Sequence, residues 1–362
     1  MNTGTVEKLK NELRVCVDWI GFTFFGLTDV KDVIEFLGYK DEDFTQLPKG
    51  GMGYKSILQL NGYTLQILYD GKENMGIHVN ISGSSVTEVI RSFLETKKID
   101  TVFGDAYDID FNSNGLITFF DEVSKVANFT RIDIAIDDIG TQFFSLDDLR
   151  ALLAGETIGK KIVSKFRKWQ EVCQKRLTGE KTGHTIYMGS RQSETFLRVY
   201  DKRLEQAGKK GTDLGVEWTR WELEFKGERA NQVANLIVKR QEVGAVFIGV
   251  LNNYVRVVNL DDSNISRCSL DTVWQKFVNT VEKLRLYVAQ AEKTLEEKEN
   301  WFKFQVAPTM AGIIVSKLGD MSIIYDYFED YLTRMSKDMR NICDKYNPTW
   351  REDWGLNDEC VA

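Results

Sequence analysis

Residues 131–138 read RIDIAIDD, and the alternation in this stretch decides the fold. Neighbouring side chains of an extended strand point to opposite faces, so Arg131, Asp133, Ala135 and Asp137 share one face and Ile132, Ile134 and Ile136 the other. A parallel strand buried on both faces would carry a continuous apolar run instead. The pattern therefore predicts an antiparallel sheet with one apolar and one polar face. RWELEFK obeys the same rule, setting Arg220, Glu222, Glu224 and Lys226 against Trp221, Leu223 and Phe225. So does FLRVYDK, which sets Arg198, Tyr200 and Lys202 against Leu197 and Val199.

Strand and helix signals alternate around these segments. LRVCVDWIGFTFFG (13–26) is rich in β-branched and aromatic residues, as strands are. Asn61 and Gly62 separate two β-prone runs and predict a tight hairpin turn. GIHVNISG alternates Ile77, Val79 and Ile81 with His78, Asn80 and Ser82. Ser85 with Glu88, and Ser145 with Asp148, have the spacing of capping boxes and predict two helices. The first of these presents Val86, Val89, Ile90, Phe93 and Leu94, and the second Leu146, Leu149, Leu152 and Leu153. Beyond residue 258 the chain reads as mostly helical, with Val273, Trp274, Phe277, Val278, Val281 and Leu284 at helical spacing and Pro308 interrupting before IIVSKL and IIYDYFEDYL. The expected architecture is α+β, a large, mainly antiparallel central sheet with helices on one face plus a helical C-terminal region. Residues 1–258 would form one α+β domain, and 259–362 a mostly helical region.

A chain of 362 residues, 43% hydrophobic, can bury a sizeable core. The segment MNTGTVEKLKNELRV is charged and lacks a signal-peptide pattern, and no apolar run approaches membrane-spanning length, so a cytoplasmic protein without a membrane partner is expected. Cys16, Cys173, Cys268, Cys343 and Cys360 are scattered, which argues against a disulfide framework or a thiolate metal site. His78 and His184 are the only histidines, so any catalytic ion would take carboxylate ligands, which points to magnesium or manganese. A net charge of -7 argues against non-specific coating of nucleic acid. Residues 160–210 nevertheless carry fourteen Lys and Arg against five Asp and Glu, a local +9 that is either a solvated face or a nucleic-acid patch.

If the three alternating strands adjoin, carboxylates, cations and a tyrosine share one surface. Asp133, Asp137 and Glu222 are then the candidate metal ligands, and Arg131, Arg191, Arg198 and Arg220 the candidate phosphate contacts. Like charges at Asp133 and Asp137, or at Glu222 and Glu224, repel unless a cation compensates. The alternative reading is a wet sheet face laced by cross-strand salt bridges. His78 could be a ligand, a phosphate contact or a structural histidine. A tyrosine, with a pKa of about 10, needs cations or a metal to act as a nucleophile. Arg198 and Lys202 flank Tyr200 on its face, although spacing alone does not single it out among the thirteen tyrosines.

The stretch YMGSRQSETFLRVYDKRLEQ (Tyr187–Gln206) resembles the tyrosine motif of the Rep_trans replication initiation factor family. FTRIDIAIDD (Phe129–Asp138) and EWTRWELEFK (Glu217–Lys226) also look like family segments, and GIHVNISGSS (Gly76–Ser85) is a looser match. The resemblance implies an origin-specific enzyme that nicks and joins one DNA strand, starting rolling-circle replication or conjugative transfer through a 5'-phosphotyrosine. The family tyrosine precedes an Asp/Asn-Lys pair, which selects Tyr200 with Lys202 and leaves Tyr187 as the fallback. The acidic metal site of the family maps onto Asp133, Asp137 and Glu222, with Glu224 ranked below Glu222 because its position varies. The resemblance further implies a divalent cation, Mg2+ or Mn2+, single-stranded or cruciform origin DNA, a PcrA-type helicase and, for plasmid initiators, a homodimer. Two other readings remain open at this point, a non-catalytic sequence-specific DNA-binding protein and a metal nuclease that uses water.

Overall fold

A computed structural model describes residues 12–97, 115–210, 213, 215–239, 242–282, 302–332 and 337–355, together with the single residues 295, 299 and 335. The chain opens with strand β1 (Glu12–Phe24), helix α1 (Val30–Phe36), β2 (Phe44–Gln46), β3 (Ser56–Leu60), β4 (Gln66–Tyr69) and β5 (Ile77–Ser82). Helices α2 (Ser85–Thr96) and α3 (Leu116–Val126) precede β6 (Ala127–Ile139), α4 (Leu146–Ala154), β7 (Lys160–Ser164), β8 (Trp169–Lys175), β9 (Lys181–Met188) and β10 (Thr195–Asp201). Then come α5 (Lys202–Lys210), β11 (Trp218–Lys226), α6 (Glu228–Val238), α7 (Val243–Tyr254), β12 (Val255–Asn259) and α8 (Thr272–Val281). The described residues beyond 302 are helical over Ala307–Ser316, Ser322–Leu332 and Lys337–Tyr346. The N-terminal residues 1–11, Leu284 and Cys360 lie outside the described residues.

Ten strands form one antiparallel sheet in the order β2-β3-β4-β5-β1-β6-β11-β10-β9-β8, and β12 pairs with β7 in a small second sheet. The three alternating segments are thus the consecutive neighbours β6, β11 and β10. Their apolar sets, Ile132, Ile134, Ile136, Trp221, Leu223, Phe225, Leu197 and Val199, are fully buried on the helix-covered face. Phe22, Phe119, Phe120 and Phe129 pack there edge to face or stacked. Asp138, the last acid of RIDIAIDD, also points to this side and is buried, because its carboxylate accepts the backbone N–H groups of Gln142 (2.7 Å) and Phe143 (3.1 Å). It thereby ends β6 and shapes the turn into α4.

Two local expectations change. The Ser85 hydroxyl does not cap α2; it lies inside the helix and accepts the Thr64 N–H at 2.8 Å, while Ser84 holds the cap position. The hairpin at Asn61 and Gly62 exists, yet its connection runs over five residues and only Gly62 of the pair takes a positive φ, 78°. The Ser145–Asp148 capping box forms as read, with each backbone N–H bonded to the other's side chain. No described helix is long and apolar enough to cross a membrane.

Helix α8 follows the expected division at residue 258 but packs on the main sheet. Trp274 and Phe277 are fully buried, 6.1 and 5.2 Å from the ring of Trp221 on β11. Trp274→Ala should therefore cost about 3–5 kcal/mol in denaturant unfolding, as large-to-small core changes do. Val315→Ala, in the exposed helix Ala307–Ser316, should stay within about 0.5 kcal/mol of the parent. Equal effects would show that α8 is not part of this core.

Candidate active site

The register lays the polar face out as rungs. Trp19, Asp133, Glu224 and Phe196 lie across β1, β6, β11 and β10 on one rung. Cys16, Ala135, Glu222, Arg198 and Tyr187 form the next, and Arg14, Asp137, Arg220, Tyr200 and Thr185 the third. Each rung joins residues distant in sequence, so acids and bases of different strands meet directly.

Two charge clusters result. In the first, Arg198 Nη2 lies 2.9 Å from Asp133 and 3.5 Å from Glu224, and it also bonds Glu222. Arg131 adds contacts of 2.6 Å to Asp133 and 2.9 Å to Glu224, and its guanidinium stacks 4.1 Å from the Trp19 ring centre. In the second, Arg220 holds Asp137 with two bonds of 2.6 and 2.7 Å and reaches Asp18 at 2.7 Å. The Trp218 indole N–H donates to Asp137 at 2.8 Å. The cross-strand pairing considered from the sequence is thus present, although almost wholly shielded from water on the carboxylate side.

This arrangement separates two residues that alternation had put together. Asp133 and Asp137 do share a face, but four residues of extended chain span about 13 Å, too far for one ion to bind both. Asp137 belongs with Arg220, while Asp133 and Glu222 converge on the same Arg198 nitrogen. Among the described residues, no group of three or more His, Cys, Asp or Glu is arranged to hold a metal. His78 stands apart, buried, with its ring nitrogens bonded to Thr23 Oγ1 (2.8 Å) and Asn80 Oδ1 (3.1 Å). Arg191 is exposed on the β9–β10 connection, 5.0 Å from the ring centre of Tyr187, which stacks in turn on Phe196. It joins neither carboxylate cluster.

Tyr200 sits near the end of β10, between Arg220 and Thr185. Lys202 does not continue the strand but opens α5, yet its Nζ lies 3.5 Å from the Tyr200 hydroxyl and 5.5 Å from the ring centre. Asp201 enables this turn, since its carboxylate accepts the Leu204 N–H at 2.9 Å, and Glu205 holds the Lys202 ammonium at 2.5 Å. Sequence reading missed Asp18 and Glu205, and took Asp201 only as part of the Asp/Asn-Lys pair that follows the family tyrosine. The pointer to Asp18 was an acid inside an otherwise apolar strand; a register shift in β1 between Val17 and Trp19 takes it out of simple alternation.

Burial dominates the electrostatics. It pushes the Tyr200 hydroxyl well above its ordinary value; Arg220 offsets part of this, and Glu222, Asp18 and Glu205 add to the rise. Burial likewise raises the Asp133 carboxyl against the pull of Arg131 and Arg198. For Asp18 burial is outweighed by Arg220 and Lys202, which hold it below its ordinary range. Glu222 is pushed up to about 8, first by burial and then by Asp18 and Asp133, with Arg198 opposing. The folded state therefore keeps a proton on Glu222 that the unfolded chain has released. The associated stability is present below the ordinary carboxylate range and is lost as pH rises towards about 8. In metal-free buffer the melting temperature should fall across that window, and Glu222→Gln should flatten the fall; an unchanged profile would place the titration elsewhere.

The model of the replication initiation factor family matches residues 127–335. The putative DNA relaxase NicK of Bacillus subtilis (strain 168) is 31% identical over 314 residues, covering 85% of this chain and 83% of the relative. The structure of a rolling circle replication initiator protein from Geobacillus stearothermophilus superposes with a TM-score of 0.61 at 28% identity, covering 76% of this chain and 99% of that one. With the motif strands adjacent and the match extending through them, the chain belongs to the replication initiation factor family.

Proposed function

We propose that this protein nicks and rejoins one strand of origin DNA through a 5'-phosphotyrosine on Tyr200, initiating rolling-circle replication or conjugative transfer. The observation that carries the reading is the Tyr200 hydroxyl, 3.5 Å from Lys202 Nζ and on the same polar face as Asp133 and Glu222, in a chain of this family. A buried phenol resists ionisation, so the Lys202 ammonium and Arg220 are the groups that favour its phenolate as the reaction begins. The phenolate oxygen bonds to phosphorus, the bond from phosphorus to the 3' oxygen breaks, and that oxygen takes up a proton. Arg198 and Arg131 face the charge that develops on the phosphoryl oxygens. Reversal of the same step by a 3' hydroxyl rejoins the strand.

The donor set suits a hard divalent cation. Asp133 and Glu222 offer two convergent carboxylates under partial compensation, and magnesium or manganese is commonly held by one or two carboxylates with waters and substrate phosphate. Asp133 and Glu222 would hold the ion, with Glu224 adjoining and Asp137 retained by Arg220. Such an ion, when bound, supplies Lewis-acid polarisation of the scissile phosphate. Beyond residue 302, helices expose Val315, Tyr325 and Phe328 and the turn after Ser316 exposes Leu318, apolar groups suited to a helicase or a second copy of the chain.

Incubation with a labelled single-stranded origin oligonucleotide and manganese should give an adduct that survives denaturation. Tyr200→Phe should abolish it and Tyr187→Phe should not. Adduct formation by Tyr200→Phe as readily as by the parent would remove Tyr200 as nucleophile, whereas cleavage without attachment would favour the water-using nuclease.

Metal titration separates the carboxylates. Asp133→Asn and Glu222→Gln should each raise the manganese needed for half-maximal nicking by at least about 10-fold. Asp137→Asn should instead cost about 1–3 kcal/mol of stability, because Arg220 keeps only Asp18 as a charged partner, with the metal requirement near that of the parent. The reverse ranking would return Asp137 to the metal site.

A further inference from the structure

A second basic feature lies on the other side of the sheet from Tyr200. An open cleft of about 500 Å³ is lined by Leu152 of α4, by Lys160 and Lys161 of β7, and by Arg167, Lys168 and Trp169 before and at the start of β8. Met188 of β9 closes it; Met188 pairs with Leu197 and so faces the helix side, whereas Thr185 of the same strand faces the polar side beside Tyr200. The cleft and the candidate active site therefore occupy opposite faces of the β8–β9 edge.

Its cations are available. Lys160 is taken by Asp271 at 2.6 Å, but Lys161, Arg167 and Lys168 are exposed and have no ion pair among the described residues. The acids nearest in sequence are already engaged, Glu156 by Arg150 at 2.6 Å and Glu171 by His184 at 2.7 Å. The segment that carries Arg167 and Lys168 is anchored at both ends. Lys165 N–H donates to the Tyr254 carbonyl (2.8 Å), Gly189 N–H donates to the Lys168 carbonyl (2.9 Å), and Phe166 stacks 4.8 Å from Tyr254. Trp169, 38% exposed, supplies an apolar wall beside the charges. In a chain of net charge -7, three uncompensated cations held on a fixed rim point to a polyanion as the occupant.

We propose that this cleft is a second DNA contact, which grips backbone phosphates of the duplex flanking the single-stranded segment at Tyr200. The proposal rests on the nicking reading for the identity of the polyanion. With the two contacts on opposite faces, the DNA would turn around the β8–β9 edge, so that the duplex arm positions the strand without sharing its site.

The test uses the full chain in metal-free buffer with oligonucleotides that lack the origin sequence, so that binding is read without cleavage whichever residue is the nucleophile. The cleft variant Lys161→Ala, Arg167→Ala, Lys168→Ala is compared with a hairpin-tip variant of equal charge change, Lys175→Ala, Arg176→Ala, Lys181→Ala. Each is titrated with a short blunt duplex and with a single-stranded oligonucleotide over a range of salt concentrations. The cleft variant should bind the duplex more weakly, and its slope of log affinity against log salt should become shallower by about 0.9 for each phosphate it no longer neutralises. Its affinity for the single strand should match the parent, and the tip variant should keep both. Equal weakening in the two variants would reduce the cleft to general surface charge. Equal weakening on duplex and single strand would also overturn the assignment, as would an unchanged duplex affinity.

Discussion

The polar face of the sheet depends on arginine. Asp133, Asp137, Glu222 and Glu224 are buried on it, and unpaired carboxylates in such surroundings would take up protons or force the strands apart. Arg131, Arg198 and Arg220 hold them in contacts that cross three strands, with Glu222 placed to keep its proton up to about pH 8. Guanidinium suits this task because it keeps its charge on burial and can bond two or three carboxylates at once in fixed directions. Such a network contributes little net stability compared with an apolar packing of the same volume, but removal of one member strands the others. Its retention in the middle of a ten-stranded sheet is accordingly better explained by what the face does than by what holds it together.

Arg198 and Arg220 divide the work. Arg198 gathers three acids into one cluster, two of which, Asp133 and Glu222, are left only partly compensated. Arg220 is the cross-strand partner of Tyr200 and is itself balanced by Asp137 and Asp18. A cation that is already balanced lowers the phenol only modestly, which is why the hydroxyl remains firmly protonated in the isolated protein.

The change from β10 to α5 completes the constellation. A strand continued through Lys202 would carry the lysine about two residues' rise beyond Tyr200. The turn, capped by Asp201, folds it back to within 3.5 Å of the hydroxyl. Strand β9 presents its opposite side to the basic cleft through Met188, so the β8–β9 edge of the sheet adjoins both surfaces.

Alternation in RIDIAIDD, RWELEFK and FLRVYDK determined the antiparallel sheet and its two faces, because side-chain direction in a strand is a local property of the backbone. Those patterns also named Asp133, Glu222, Arg198 and Arg131 as residents of one face. Motif resemblance, rather than periodicity, selected Tyr200. The partners of each charge were decided only by the tertiary structure, since register sets who meets whom and is fixed by core packing across strands far apart in sequence. Register sent Asp137 to Arg220 and not to Asp133, brought in Asp18 through a local irregularity of β1, and tied α8 to the core through Trp221. Lys202 reached its place by a change of secondary structure that simple alternation does not anticipate, governed by one capping carboxylate.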